Sequence, residues 1–425
     1  MKVRQAILKN SVSFSDLASS YVCGRFKRVW VEKSDLPIYQ PSAITEIKPK
    51  PDGYISSETA TDIDALRVHS GQVLLTCSGT IGKVSFVSQT LDDKIFSHDL
   101  LRIDAKNDYD AGYIYAWLKS SVGQQILLTN SYGAVIEHIE PEHLENIPVP
   151  AAPESLKRQI HKLIVRSYEL RDESNELIDE AERILINELH LPDIDEFGRE
   201  KVFSVKLSDL RGRLDASYHS PLVERIVEYL KAHAAEVTTI ADSRISRAVI
   251  LPGRFKRVYV DEGHGIPFFS GRSIGELNPS DKEYLSFTQH SERIRDELTI
   301  RGNMILITCS GTIGNVALVP KHWDGWAMTH DIIRLLSSEN LVGYIYLWLQ
   351  SVYASEIIKS FSYGAVVKHI EKFHLYDVPC PLLRNVSAQS MINSMVLLAN
   401  EKRFRAYLLE QDALRILNEE VLAVQ

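Results

Sequence analysis

One set of short phrases is written twice along this chain of 425 residues. GRFKRV fills Gly24 to Val29 and again Gly253 to Val258, and TCSGTIG fills Thr76 to Gly82 and Thr308 to Gly314. A His-Asp pair follows at His98-Asp99 and His330-Asp331, then GYIY-x-WL from Gly112 and from Gly343. SYGAV starts at Ser131 and Ser362, and each copy runs on to HIE and a proline pair, Pro148/Pro150 and Pro379/Pro381. The offset stays between 229 and 232, so order and spacing are both kept. Such a duplication dictates two sibling globules, roughly 12–150 and 237–381. It suits a protein that engages two similar targets, or one target with two similar halves.

Within each copy, apolar and alternating segments are broken by Gly, Pro and Ser. VLLTCSGTIGKVSFV reads as strand, tight glycine turn, strand, because β-branched residues flank a glycine corner. GYIYAWLKSSVGQQILL and GYIYLWLQSVYASEIIKS read as amphipathic helices, with apolar residues every three to four positions. The connector differs in character. Leu156, Leu163, Leu170, Leu177, Ile184 and Leu191 form a seven-residue ladder. Ile160 and Ala181 hold intermediate positions, and Ser167 and Ser174 weaken that second seam. Neither Gly nor Pro interrupts Glu154 to Leu191, so this reads as one coiled-coil helix of about 55 Å. Val386 to Val421 is likewise free of both, with Ile392, Ala399, Ala406 and Ala413 at heptad spacing. Each helix alone would expose an apolar stripe. The two are expected to pair, antiparallel, with small residues of one facing leucines of the other. Gly198 to His233 has no counterpart ahead of the first copy and is expected to brace the second globule.

The net charge is −8, which argues against an autonomous nucleic-acid binder unless cations are gathered on one face or a partner supplies the field. Four cysteines without a CxxC pairing fit a reducing cytoplasm. No apolar run approaches the roughly 20 residues of a membrane span, and the first residues lack a secretory signal's apolar segment.

Four constellations carry possible chemistry. The first is the cationic phrase, Arg25, Lys27, Arg28 and Arg254, Lys256, Arg257, where an aromatic anchor would let the cations reach phosphates or a guanine edge. The alternative is a solvated charged loop. The second is TCSGTIG, whose Ser78, Thr80, Ser310 and Thr312 hydroxyls and glycines suit close backbone approach to a ligand, or else a hairpin turn with buried hydroxyls. Lys83 and its counterpart Asn315 follow directly. A phosphate-cradling P-loop is excluded, since Gly79 and Gly82 are only three apart and Val84 follows Lys83. The third is a Ser78, His98, Asp99 triad. Adjacent residues on a strand point to opposite faces, which disfavours it. A His hydrogen-bonded inside each domain is the expectation. The fourth is the SYGAV…HIE segment, with Tyr132, Glu137 and His138 against Tyr363, Lys368 and His369, either a base-reading loop or surface drift. No GxGxxG, HExxH or methyltransferase motif occurs, so no catalytic site and no metal site is expected.

Taken in order, these elements resemble the DNA-specificity subunit of Type I restriction-modification systems. LLTCSGTIGKV and LITCSGTIGNV, the YIY-x-WL helices, and the entries IPVPAAPESLKRQI and VPCPLLRNVSAQSMI carry the resemblance, with GRLDASYHSP as the lead-in to the second domain. It implies an α+β chain of two tandem α/β target-recognition domains, separated by two long antiparallel coiled-coil helices. The expected layout is a first domain at 1–152, a spacer helix at 153–192, a second domain at 193–383 with a helical lead-in at 198–236, and a second spacer helix at 384–425. It further implies a non-catalytic reader of double-stranded DNA, each domain taking one half of an interrupted site. Methyltransferase (modification) subunits would bind the spacer helices, with restriction subunits as further partners. S-adenosylmethionine, ATP and Mg would reside on those partners, and this chain would hold no cofactor. The rival readings are a methyltransferase-binding scaffold that no longer reads DNA, and a serine hydrolase using Ser78 or Ser310.

Overall fold

The computed structural model describes residues 10–131, 138–210 and 212–422. Two compact units emerge: one is Met1–Asn175 with Gly275–Asn278 and Arg405–Gln425, the other Glu176–Ile274 with Pro279–Phe404.

In the first unit an antiparallel sheet runs in the order Ala18–Tyr21, Leu100–Ala105, Val73–Thr76, Val84–Phe86. A second sheet follows the order Trp30–Val31, Gly53–Ile55, Pro37–Tyr39, Ile95–Phe96, its last pair parallel. Ser11–Ser13 pairs with Pro148–Pro150, tying the start of the repeat to its end. The second unit repeats the scheme. Its main sheet is ordered Ser246–Ile250, Ile332–Ser337, Ile305–Thr308, Val316–Leu318, and Glu236–Thr239 closes against Pro379–Leu382. Duplicated sequence has become duplicated topology, and the fold is α+β as expected.

The GYIY-x-WL segments correct one expectation. Each is two helices, α1 (Asp108–Lys119) with α2 (Ser121–Thr129) in the first unit. The break falls at Ser120, whose extended backbone ends α1 and whose hydroxyl accepts the Gly123 N–H at 3.0 Å to start α2. Residues 110–118 are buried all round rather than amphipathic. The cause is packing on two sides: the main sheet covers one face, and the next helix, α3 (Glu154–Leu189), approaches so closely that a Cβ on Gly112 would lie 2.6 Å from the His161 Cα. In the second unit, α4 (Pro221–His233) sends Leu222, Ile226 and Leu230 into the core, bracing that globule. There α5 (Val342–Gln350) and α6 (Val352–Ser360) break at Ser351 in the same way. Gly343 stands equally close to α7 (Val386–Ile416), 2.5 Å from the Asn393 carbonyl oxygen for an added Cβ.

Both long helices are present, and their seam differs from the expectation. The leucine ladder is only half-buried at Leu156, Leu163, Leu177 and Ile184. The heptad positions at 0% exposure include Ile160, Ser167, Ser174 and Ala181 on α3, and Ile392, Ala399, Ala406 and Ala413 on α7, with Ile164, Leu189 and Val396 buried as fully beside them. In the first unit the Ser167 hydroxyl donates to the Ala406 carbonyl at 2.7 Å. Small residues therefore face small residues, because only they let two backbones approach within hydrogen-bond reach, while leucines flank the contact. Ile160 clusters with Ala413 and Leu417, and Leu170 with Ala406, so the segments run antiparallel within this unit. A buried ion pair, Arg171 with Glu410, lies in the same contact.

Candidate nucleic-acid interface

The two cationic phrases adopt the same arrangement in both units. Neither has regular secondary structure, since Val22 to Val29 is extended loop. The aromatic does anchor the segment: Phe26 packs on Ile38, Ile55, Leu66 and Ile95, and Phe255 on Phe268, Leu285, Ile294 and Leu298. With the aromatic turned inward, Arg25, Lys27, Arg254 and Lys256 are exposed, while Arg28 and Arg257 are half-buried. Arg28 lies over the Phe26 and Trp30 rings at 5.9 and 5.8 Å. Arg257 lies over Phe268 at 5.4 Å and donates through Nη2 to the Thr329 hydroxyl at 3.0 Å.

Under this loop sits the His-Asp pair. The expectation that adjacent His and Asp must diverge is overturned, because the imidazole Nε2 of His98 meets the Asp99 carboxylate at 3.3 Å, and that of His330 meets Asp331 at 3.5 Å. His98-Asp99 occupies a bend and His330-Asp331 a turn, each just ahead of the strand, where strand alternation does not apply. A histidine bonded inside each domain is what the sequence led one to expect. Phe26 stands edge-on to His98 at 6.0 Å. Burial lowers the pKa of His98, helped by Arg28 and Arg25 and opposed by Asp99. His330 is lowered in the same way, with Arg257, Arg254 and Arg293 as the neighbouring cations. In the first copy the loop meets the His-Asp turn through Phe26 against His98, and in the second through Arg257 on Thr329, the residue before His330. Each Nδ1 is buried without a partner, so among the described residues neither histidine is paired with Ser78 or Ser310 as base to nucleophile.

TCSGTIG is the expected hairpin corner, with positive φ at Gly79 and Gly82 and at Gly311 and Gly314. Thr80 and Thr312 are exposed at its tip, and Ser78 and Ser310 are half-buried beside it. What the sequence did not reveal is that this corner joins the fourth constellation. Ser78 bridges His138 and Ser310 bridges His369, while Gly311 N–H donates to the Lys368 carbonyl at 3.0 Å. Tyr363 and Lys368 are exposed, and the Tyr363 hydroxyl donates to Glu371 at 2.8 Å. Tyr132 and Glu137 lie outside the described residues. Lys83 departs most from the expected surface: its ammonium is paired with Glu276 at 2.6 Å and is largely buried.

In the second unit these parts enclose a polar cavity of 720 Å³. Arg257, Ser310, Thr312 and Asn315 line it together with Thr329 and Asp331. Four predicted residues thus meet in one concavity. Arg272 and Asp281 also line it and were not anticipated, since they lie in the loop-rich stretch between the repeated phrases, where no motif marks them. The described residues hold no cluster of metal-ligating side chains, and no helix is long and apolar enough to cross a membrane.

No curated protein matches the chain. Among solved structures, the Type-I restriction-modification system S subunit from M. genitalium is 14% identical with a TM-score of 0.37, covering 97% of this chain and 94% of that one. The HsdS subunit from Thermoanaerobacter tengcongensis is 14% identical with a TM-score of 0.29, covering 97% and 96%. Residues 261–392 match the family model described as the Type I restriction modification DNA specificity domain. That stretch holds the Gly-turn, the His330-Asp331 pair, the YIY-x-WL helix and the start of α7, so it is the second repeat of this chain that is similar to the DNA specificity domain of Type I restriction-modification systems.

Proposed function

We propose that this chain is the non-catalytic DNA-reading subunit of a Type I restriction-modification complex, each repeat taking one half of a bipartite double-stranded site. The observation that carries the reading is the recurrence, in both units, of an exposed Arg-x-Lys pair above a His-Asp turn. Exposed cations on a fixed loop position a protein on phosphates, and polar groups of an adjoining concavity are suited to base edges. Arg25, Lys27, Arg254 and Lys256 are assigned to phosphate. Arg28, Arg257, Ser78, Thr80, Ser310, Thr312, Asn315, His138, Tyr363, Lys368 and His369 border the contact surface. Lys83 supports its own domain through Glu276 instead.

In this reading α3 and α7 set the gap between half-sites and present the surface for methyltransferase subunits, with restriction subunits joining that complex. S-adenosylmethionine, ATP and Mg belong to those partners, and the assembly works in the cytoplasm. An acidic chain then needs no high affinity of its own, because the assembled complex closes on the DNA. The test exchanges residues 12–150 for the corresponding repeat of another reader and maps methylated adenines by single-molecule sequencing. One half of the methylated sequence should change and the other persist. If both halves changed together, one repeat per half-site would be wrong.

A further inference from the structure

Each unit buries one arginine in the middle of its main sheet, Arg102 and Arg334, at matching positions and at 0% exposure. Among the described residues neither guanidinium has a carboxylate partner, and each Nε is left without any. Burying an unpaired cation is costly, so what the guanidinium bonds matters. In the first unit Nη1 donates to the Leu100 carbonyl at 3.1 Å, and Nη2 to those of Leu66 and Phe96 at 2.9 and 3.3 Å. In the second, Nη1 donates to Ile332 at 2.8 Å, and Nη2 to Leu298, Met328 and Thr329 at 3.2, 2.7 and 3.3 Å. The same atoms take three equivalent carbonyls twice, and the second arginine adds that of Thr329.

Those carbonyls bracket one loop. Phe96 and Leu100 stand either side of Ser97-His98-Asp99. Met328 and Ile332 stand either side of Thr329-His330-Asp331. It is this loop that meets the cationic phrase, through Phe26 against His98 and through Arg257 on the Thr329 hydroxyl. Thr329 and Asp331 are also walls of the cavity.

We infer that Arg102 and Arg334 are positioning residues, each splinting the His-Asp loop of its own domain and thereby setting that domain's half-site discrimination. A planar fork of fixed donors can span both ends of the loop and reach a third segment, which a single ammonium cannot. The arginine touches no DNA. It acts through the loop it holds.

The inference rests on the bipartite reading proposed above. Its test uses the full chain assembled with modification subunits, carrying Arg334→Lys or Arg102→Lys, on duplexes matched or substituted in one half-site. Arg334→Lys should unfold cooperatively and lose discrimination in the second half by about tenfold or more, the scale of one base contact, with the first half unchanged. Arg102→Lys should give the mirror result. Should Arg334→Lys fail to fold, Thr329→Ser, which keeps the hydroxyl bonded to Arg257 and Asp331, should retain discrimination in the second half, and Thr329→Ala, which removes it, should reproduce the loss there alone. Wild-type discrimination in the lysine variants or in Thr329→Ala, or equal loss in both halves, would overturn the assignment. A wild-type complex that discriminated neither half would instead sink the bipartite reading itself.

Discussion

Replacing Arg25, Lys27, Arg254 and Lys256 together by glutamine separates charge from architecture. These four side chains are exposed, whereas Arg28 is stacked on aromatic rings and Arg257 is bonded to Thr329. Each cation that neutralises a phosphate contributes about 0.9 to the slope of log K against log salt. If all six engage, their share of the slope is about −5, and removing the exposed four leaves about −2. Between ~50 and ~200 mM salt, the six-cation share weakens binding by about a thousandfold and the remainder by about tenfold. Fluorescence anisotropy of the complex assembled with modification subunits, titrated across that range, measures the difference directly. Cations on the partner subunits add equally to both slopes and cancel. Neutralising Arg25 and Lys27 alone should remove about half the difference. Coinciding slopes for wild type and quadruple variant would refute the assignment of these loops to phosphate.

Glu410→Ala should cost about 3–5 kcal/mol in urea unfolding, because it strands the Arg171 guanidinium in the helix contact, and Arg171→Met with Glu410→Leu should recover most of it. Burial works to raise the Glu410 carboxyl, but Arg171, Lys119 and the Tyr115 hydroxyl outweigh it and hold it below its ordinary value. Its contribution is therefore present above the ordinary carboxylate range and is lost as pH falls through the depressed value, which acid titration of stability checks by comparing wild type with Glu410→Gln. Gly343→Ala places a methyl 2.5 Å from the Asn393 carbonyl oxygen and should lower stability by about 1–3 kcal/mol in thermal melts, and an unchanged melt would mean the approach of α5 to α7 is looser than described. Since burial, Arg28 and Arg25 lower His98, the double variant Arg25→Gln, Arg28→Gln should raise its imidazole titration by NMR, and no movement would separate the cationic loop from the His-Asp turn.

Much of this was legible because it depends on local chemistry. The glycine corner needs positive φ wherever it occurs, so Gly79, Gly82 and their counterparts announced a hairpin. The absence of Gly and Pro let α3 be bounded to within a few residues and gave the start of α7, whose regular α-helix nevertheless ends at Ile416, short of the expected end. The seam was misjudged for a physical reason. Ranking by hydrophobicity favours leucine, and Ser167 then looks like a defect. Close antiparallel approach favours the smallest side chains instead, and there the serine hydroxyl finds a carbonyl. Lys83 was misplaced for the same kind of reason, since its partner Glu276 lies 193 residues along the chain.

From the sequence alone came the count of domains, their order, the helices that follow them and the cationic phrase that each repeats. All are properties of neighbouring residues or of self-similarity, and need no distant partner. Tertiary structure alone decided which of those cations stay in water, which heptad positions touch, and how Arg102 and Arg334 come to lie buried among carbonyls. A strand reading LLRIDA carries no sign that its arginine points inward. Only the surrounding backbone, converging from three segments, makes that burial tolerable.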